Sequence, residues 1–186
     1  MGRTSLKSLN ARRDRGYSPV VVCWNVVEYR KAAVAYLEDD DVVLEVGCCG
    51  GMTTHLVGRC CPRGMAIGID QTAAEIAIAK KRFAIEGRVE FYEMDAFDMA
   101  AVIKLQRQIG RRFNKVLIDI NGSRDIGTVH KCLDKLQKTL MPDLFIVKSV
   151  QIKTLVLQTS PWLEPEDLLP LLPPPKNARI LEGEGG

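Results

Sequence analysis

Between residues 41 and 150, short apolar runs alternate strictly with longer amphipathic stretches. The runs cover 41–47, 65–70, 89–95, 115–120 and 144–150 and have the length of strands. The first is almost continuously apolar, which suits a strand buried on both faces. Between them lie helix patterns. Thr72 reads as an N-cap with Glu75 three residues on, followed by Ile76, Ala79 and Phe83, with Gly87 as the stop. Residues 124–140 set Ile126, Val129, Cys132, Leu133, Leu136 and Leu140 on one stripe, ended by Pro142. Further helices are predicted over 25–37 and 97–109. Strand and helix in strict alternation require a parallel sheet covered on both faces, so the expected fold is α/β and Rossmann-like. Ligands of such sheets sit at the carboxyl ends of the strands, near the point where strand order reverses. Chemistry is therefore sought at Glu45, Gly47, Asp70, Asp95, Asp119, Asn121 and Lys148.

A length of 186 residues suits one domain. With 46% hydrophobic residues, the core needs neither disulfides nor a metal to hold it. Boundaries are expected near 20 and 158. Residues 1–20 form a basic arm, 21–158 the folded domain and 159–186 a tail rich in proline and glycine. No apolar run of about 18 residues is present, which rules out a membrane-spanning helix. No secretory leader opens the chain, so an intracellular protein of cytoplasm or nucleus is expected. The acid-poor start, with its Arg and Ser residues, also resembles organelle transit segments. Six cysteines are then expected as reduced thiols. Their vicinal pairs, Cys48-Cys49 and Cys60-Cys61, do not match the C-x2–4-C spacing of structural zinc sites. His55 and His130 have no Ser or Cys partner that would indicate a hydrolytic triad.

The most informative segment runs from Glu45 through Gly47, Cys48, Cys49, Gly50 and Gly51 into the pattern that starts at Met52. This is a strand, a glycine turn and a helix. Gly47 allows a sharp turn, and Gly50 or Gly51 would let backbone approach a ligand without a Cβ in the way. Asp70 and Asp95 end the next two strands, where carboxylates accept hydrogen bonds from ribose hydroxyls and from an exocyclic amine. A nicotinamide dinucleotide fingerprint would put glycine at positions 49 and 52, which hold Cys49 and Met52. The set Glu45, Gly47, Gly51, Asp70 and Asp95 instead resembles the first three motifs of class I S-adenosylmethionine-dependent methyltransferases, over about residues 25–150. The resemblance implies S-adenosylmethionine as cofactor. It implies that the Gly47–Gly51 loop, with Cys48 and Gly50, runs beside the methionine part. Asp70, followed by Gln71, would meet the ribose, and Asp95 with Ala96 the adenine. Asp119 would stand where the methyl group points.

An inward lysine at the end of the fifth predicted strand needs a partner, and Asp119 on the adjacent strand end supplies one. A lysine and an aspartate so placed resemble the FtsJ-like RNA ribose 2′-O-methyltransferases, which implies Asp119 and Lys148 as catalytic residues and Lys31 as a further lysine of that set. No Asn/Asp-Pro-Pro-aromatic motif of amino-group methyltransferases follows the fourth strand. Metal-dependent O-methyltransferases carry an Asp-Asn pair where Lys148 and Ser149 stand, so no metal is expected. The implied function is methyl transfer to a hydroxyl oxygen, with RNA favoured as acceptor because basic clusters such as Lys80-Lys81-Arg82 suit phosphates. The alternatives are a catalytically inactive scaffold domain and a small-molecule O-methyltransferase. After Val150, residues 151–157 hold one helix or one strand before the prolines. The sheet is thus expected to be shortened at its C-terminal edge, or completed there by a protein partner or a second copy.

Overall fold

A computed structural model describes residues 17–83, 88–120 and 125–159. The five predicted strands form as β2 (Val42–Val46), β3 (Met65–Asp70), β4 (Val89–Glu93), β5 (Lys115–Ile118) and β6 (Leu144–Lys148). The helices are α1 (Val26–Tyr36), α2 (Met52–Cys60), α3 (Ala73–Phe83), α4 (Met99–Ile109), α5 (Ile126–Leu140) and α6 (Val150–Gln158). A strand not predicted from sequence, β1 (Val20–Cys23), precedes them. The sheet order is β1-β6-β5-β2-β3-β4, and every pairing is parallel. β1 lies beside β6 and so fills, from the chain's own amino-terminal side, the edge position that the sequence reading left vacant or gave to a partner.

Local chemistry explains the boundaries. The Asn25 side chain accepts from the N–H groups of Val27 and Glu28 and starts α1. Asp98 and Asp125 cap α4 and α5 in the same way. Gly110, in the left-handed region, closes α4. Gly87, the predicted stop of α3, lies outside the described residues, as does Asn121.

Strand periodicity sorts side chains between the two faces. Val42, Leu44, Val46, Val116, Ile118, Phe145 and Val147 pack against α4 and α5 through Val102, Leu105, Val129 and Leu136. The alternate residues Val43, Leu117, Leu144 and Ile146 face α1 and α2. Glu45, Asp119 and Lys148 have this second parity, so the sheet directs all three toward the α1 side at its carboxyl end. The chain divides into two units, Met1–Thr154 and Leu155–Gly186. Within the second, the described residues continue α6, and Thr159 Oγ1 donates to the Leu155 carbonyl at 2.9 Å. No described helix is long and apolar enough to cross a membrane.

Candidate active site

The chain reverses its direction of sheet growth between β2 and β5. From β2 it builds outward through β3 and β4, then returns to β5, β6 and β1 on the other side. Gly47 and Asp119 follow these two central strands. Gly47 has φ +79° and donates to the Ile69 carbonyl at 2.9 Å. A Cβ placed on it would fall 2.1 Å from the carbonyl oxygen of Asp119. Only glycine permits this crossing of strand ends.

The other loop glycines differ from the sequence expectation. Gly51 also has positive φ, +83°, but a Cβ there would strike Ala79 and the Phe91 ring at 2.8 Å. Its smallness serves the packing of α3 and β4 rather than ligand approach. Gly50 has no positive φ, and the nearest atom to its ideal Cβ is 3.5 Å away. The non-glycine residue Cys49 takes the left-handed position between them, at φ +49°.

Two cavities open at this end of the sheet. The larger, about 700 Å³, is bordered by Gly47, Asp70, Gln71, Asp95, Ala96, Asp119 and Lys148, so the structure brings these predicted residues together. Asp70 accepts from Cys49 N at 3.0 Å through Oδ2 and from Thr72 N at 2.9 Å through Oδ1. Each oxygen keeps a further lone pair for a ligand hydroxyl. Asp95 is exposed and accepts from Phe97 N at 2.9 Å through Oδ1. The second cavity, about 430 Å³, is lined by Glu45, Cys48 and Gly50 together with Arg30, Thr53 and Arg82. It shares Gly47, Cys49, Glu75 and Asp119 with the first. Gly51 borders neither cavity.

At the junction, Lys148 Nζ lies 2.6 Å from Asp119 Oδ1, and the two side chains are only 21% and 17% exposed. Beneath them Glu45 is buried and accepts from Thr54 Oγ1 at 2.5 Å. Burial, reinforced by the Asp119 carboxylate, pushes the Glu45 carboxyl up to about 8, while Thr54 and the Arg30 charge act in the opposite direction. Tyr29 is fully buried beside Glu45. Its hydroxyl makes no well-formed hydrogen bond among the described residues. Burial, then the nearby Glu45 and Asp119 charges, raises its pKa well above the ordinary phenol value.

Lys31 is exposed on α1 and borders neither cavity. Its neighbour Arg30 does, with Nε donating to Thr53 Oγ1 at 3.0 Å. The reason is helical phase. Tyr29 and Ala33 are the buried positions of α1, which turns Arg30 toward α2 and Lys31 toward solvent. Arg30, Arg82, Tyr29 and Thr54 are site residues that the sequence reading missed. The spacing of Tyr29 and Ala33 was the available signal for the first. All six cysteines are free. His55 stacks on Phe83 with ring centroids 4.5 Å apart, joining α2 to α3 away from the chemistry.

A family model described as "Methyltransferase domain" matches residues 37–161. No curated protein sequence matches the chain. Among solved structures, a SAM-dependent methyltransferase from Geobacter sulfurreducens in complex with S-adenosyl-L-homocysteine is 18% identical, with a TM-score of 0.47, covering 79% of this chain and 55% of that one. One from Thiobacillus denitrificans, also in complex with S-adenosyl-L-homocysteine, is 18% identical with a TM-score of 0.46, covering 80% and 56%. A precorrin-6y C5,15-methyltransferase from Geobacter metallireducens GS-15 is 16% identical with a TM-score of 0.46, covering 60% and 55%. The chain thus spans little more than half the length of these structures.

Proposed function

Because the chain belongs to the methyltransferase domain family, the class I S-adenosylmethionine-dependent enzymes, we propose that it transfers a methyl group to a hydroxyl oxygen, with RNA as the acceptor class. The observation that carries the reading is the Asp119–Lys148 pair at 2.6 Å, partly open where the two cavities meet. The residues present suit the cofactor. The larger cavity offers about 700 Å³, the Asp70 carboxylate for ribose hydroxyls, and Asp95 with Ala96 for the adenine. Gln71 stands beside Asp70, and the loop from Gly47 through Cys48 and Gly50 would border the methionine part. When bound, S-adenosylmethionine supplies an electrophilic methyl carbon; the acceptor oxygen takes it, and the electron pair of the broken bond stays with sulfur.

The chain's residues hold the other reactant. Lys148 presents an ammonium that donates to the acceptor oxygen and orients its lone pair. Asp119 fixes that ammonium and takes the hydroxyl proton as the oxygen loses it. Glu45, with its raised pKa, and Thr54 back this pair from below. RNA is supported by the exposed Lys80, Lys81 and Arg82 on α3, which complement phosphates.

The test is Lys148→Met, with methyl transfer to RNA, S-adenosylhomocysteine affinity and melting temperature measured on the same samples. Turnover should fall about 10²–10⁴-fold, the usual share of one acid–base group, with affinity for the adenosyl ligand unchanged. If melting temperature falls while activity per folded molecule persists, the pair is structural. Adenosyl binding by the native chain without methyl transfer to any hydroxyl would instead favour the scaffold reading.

A further inference from the structure

The second cavity contains two guanidinium groups that the fold does not use for ion pairing. Among the described residues, no carboxylate forms an ion pair with Arg30 or Arg82. Arg30 is anchored through Nε to Thr53, itself buried, which leaves its two terminal nitrogens for another acceptor. Arg82 extends from α3 over the glycine loop, where Nη1 lies 3.7 Å from the ideal Cβ position of Gly50. The acidic groups around the cavity are already engaged. Glu45 accepts from Thr54, Glu75 accepts from the Cys49 thiol at 3.1 Å, and Asp119 is paired with Lys148. The positive charge still available therefore comes from the two arginines. They stand on opposite sides, on α1 and α3, and the cavity between them continues to Asp119. Exposed Met52 and Ile78 add apolar wall.

We infer that this second cavity seats a phosphate of the acceptor between Arg30 and Arg82, so that the neighbouring hydroxyl reaches the Asp119–Lys148 pair. The inference rests on the RNA methyl-transfer reading above and assigns its acceptor subsite. Arginine suits the task because its planar fork meets two oxygens of a phosphate at once, and its charge persists at any working pH. Anchoring Nε in advance lowers the cost of ordering the side chain when the acceptor arrives. The two arginines thus act as positioning residues, and the shared wall at Gly47, Cys49 and Asp119 fixes how far the phosphate lies from the reacting oxygen.

The experiment uses the full chain and two short RNA oligonucleotides of one sequence, one natural and one with neutral methylphosphonate linkages. Binding is measured by fluorescence anisotropy over a salt series, with S-adenosylhomocysteine affinity followed by calorimetry on the same samples. The native chain should bind the natural oligonucleotide in preference to the neutral one. Arg82→Gln, an exposed side chain with no ion pair to lose, should weaken binding about 10–100-fold, as expected for a charge-assisted contact. The slope of log affinity against log salt should shrink by about 0.7 for the phosphate contact removed. Arg30→Gln should add to the loss, and Arg82→Lys should restore part of it. Adenosyl affinity should stay level throughout. RNA binding by Arg82→Gln and Arg30→Gln with native affinity and native salt slope would overturn the phosphate seat while leaving the RNA reading in place. Failure of the native chain to bind either oligonucleotide, with adenosyl binding intact, would overturn both.

Discussion

Gly47→Ala tests how the site is built. The residue sits at φ +79°, and an added Cβ would lie 2.1 Å from the Asp119 carbonyl, against the 3.0 Å below which real Cβ contacts essentially never occur. Two costs combine. Holding alanine in the left-handed region costs about 1–2 kcal/mol. Relieving the clash requires the ends of β2 and β5 to separate by about 1 Å, and such overpacking costs about 1–3 kcal/mol. The total, about 2–5 kcal/mol, lowers the melting temperature by roughly 5–15 °C for a chain of this size. The displaced backbone is that of Asp119, so turnover should fall by about 10²-fold even in the folded fraction, as misplacement by about 1 Å commonly does. Gly50→Ala is the control. Its nearest neighbour would be 3.5 Å away, and it has no positive φ, so its stability should change by no more than about 0.5 kcal/mol. Thermal melts read by circular dichroism, with a methyl-transfer assay at a temperature where both variants are folded, make the comparison. A Gly47→Ala protein that melts with the native chain, or a Gly50→Ala protein equally damaged, would refute the reasoning.

Glu45 should leave a signature in pH-dependent stability. Unfolded, its carboxyl loses a proton near its ordinary value of 4.5, whereas folded it keeps the proton to about 8. Between those values the folded chain binds the extra proton, so stability falls as pH rises, by up to about 1.4 kcal/mol per pH unit. Glu45→Gln should flatten that part of the slope in urea titrations between about pH 5 and 8. An unchanged slope would mean that Glu45 is ionised in the folded state. Asp70→Ala should weaken S-adenosylhomocysteine binding by about 1.5–3 kcal/mol by calorimetry, the value of hydrogen bonds to a charged group. It should also lower stability, since Cys49 N and Thr72 N lose their acceptor. Asp119→Asn should reduce turnover much as Lys148→Met does. Activity per folded molecule close to native would remove Asp119 from the chemistry.

The alternation of strands and helices was legible because each strand is apolar through its length, and because capping residues and glycine or proline stops punctuate the helices. The acidic strand ends could be read for the same reason: Asp70, Asp95 and Asp119 each terminate an apolar run. β1 was not legible. Four residues between Pro19 and Trp24 carry too little pattern, and their partner is distant in sequence. The glycine loop was legible as a loop but not residue by residue. Which glycine takes positive φ depends on what its missing Cβ would strike, and those atoms belong to Asp119, Ala79 and Phe91. The choice of Arg30 over Lys31 required the rotation of α1, and that helix has few apolar residues to reveal its buried side. Arg82 could not be singled out from Lys80 and Lys81 without knowing which of them reaches over the loop.

The edge strand sets an order of assembly. Val20 pairs with Phe145 and Cys23 with Lys148, so the first strand waits for the last before it has a neighbour. Pairings that close so long a loop form late, because the entropy of closure is spent before any contact repays it. During synthesis from the amino end, β2 and β3 can pair as soon as both have emerged, whereas β1 remains single until residue 148 has cleared the ribosome. The docking of β1 on β6 also brings the Cys23 carbonyl to the Ser149 N–H at 3.0 Å, immediately after Lys148. The acceptor side of the cleft is therefore completed only by joining the two ends of the sheet's sequence, and a nascent chain gains its full set of reacting groups in the final step of folding.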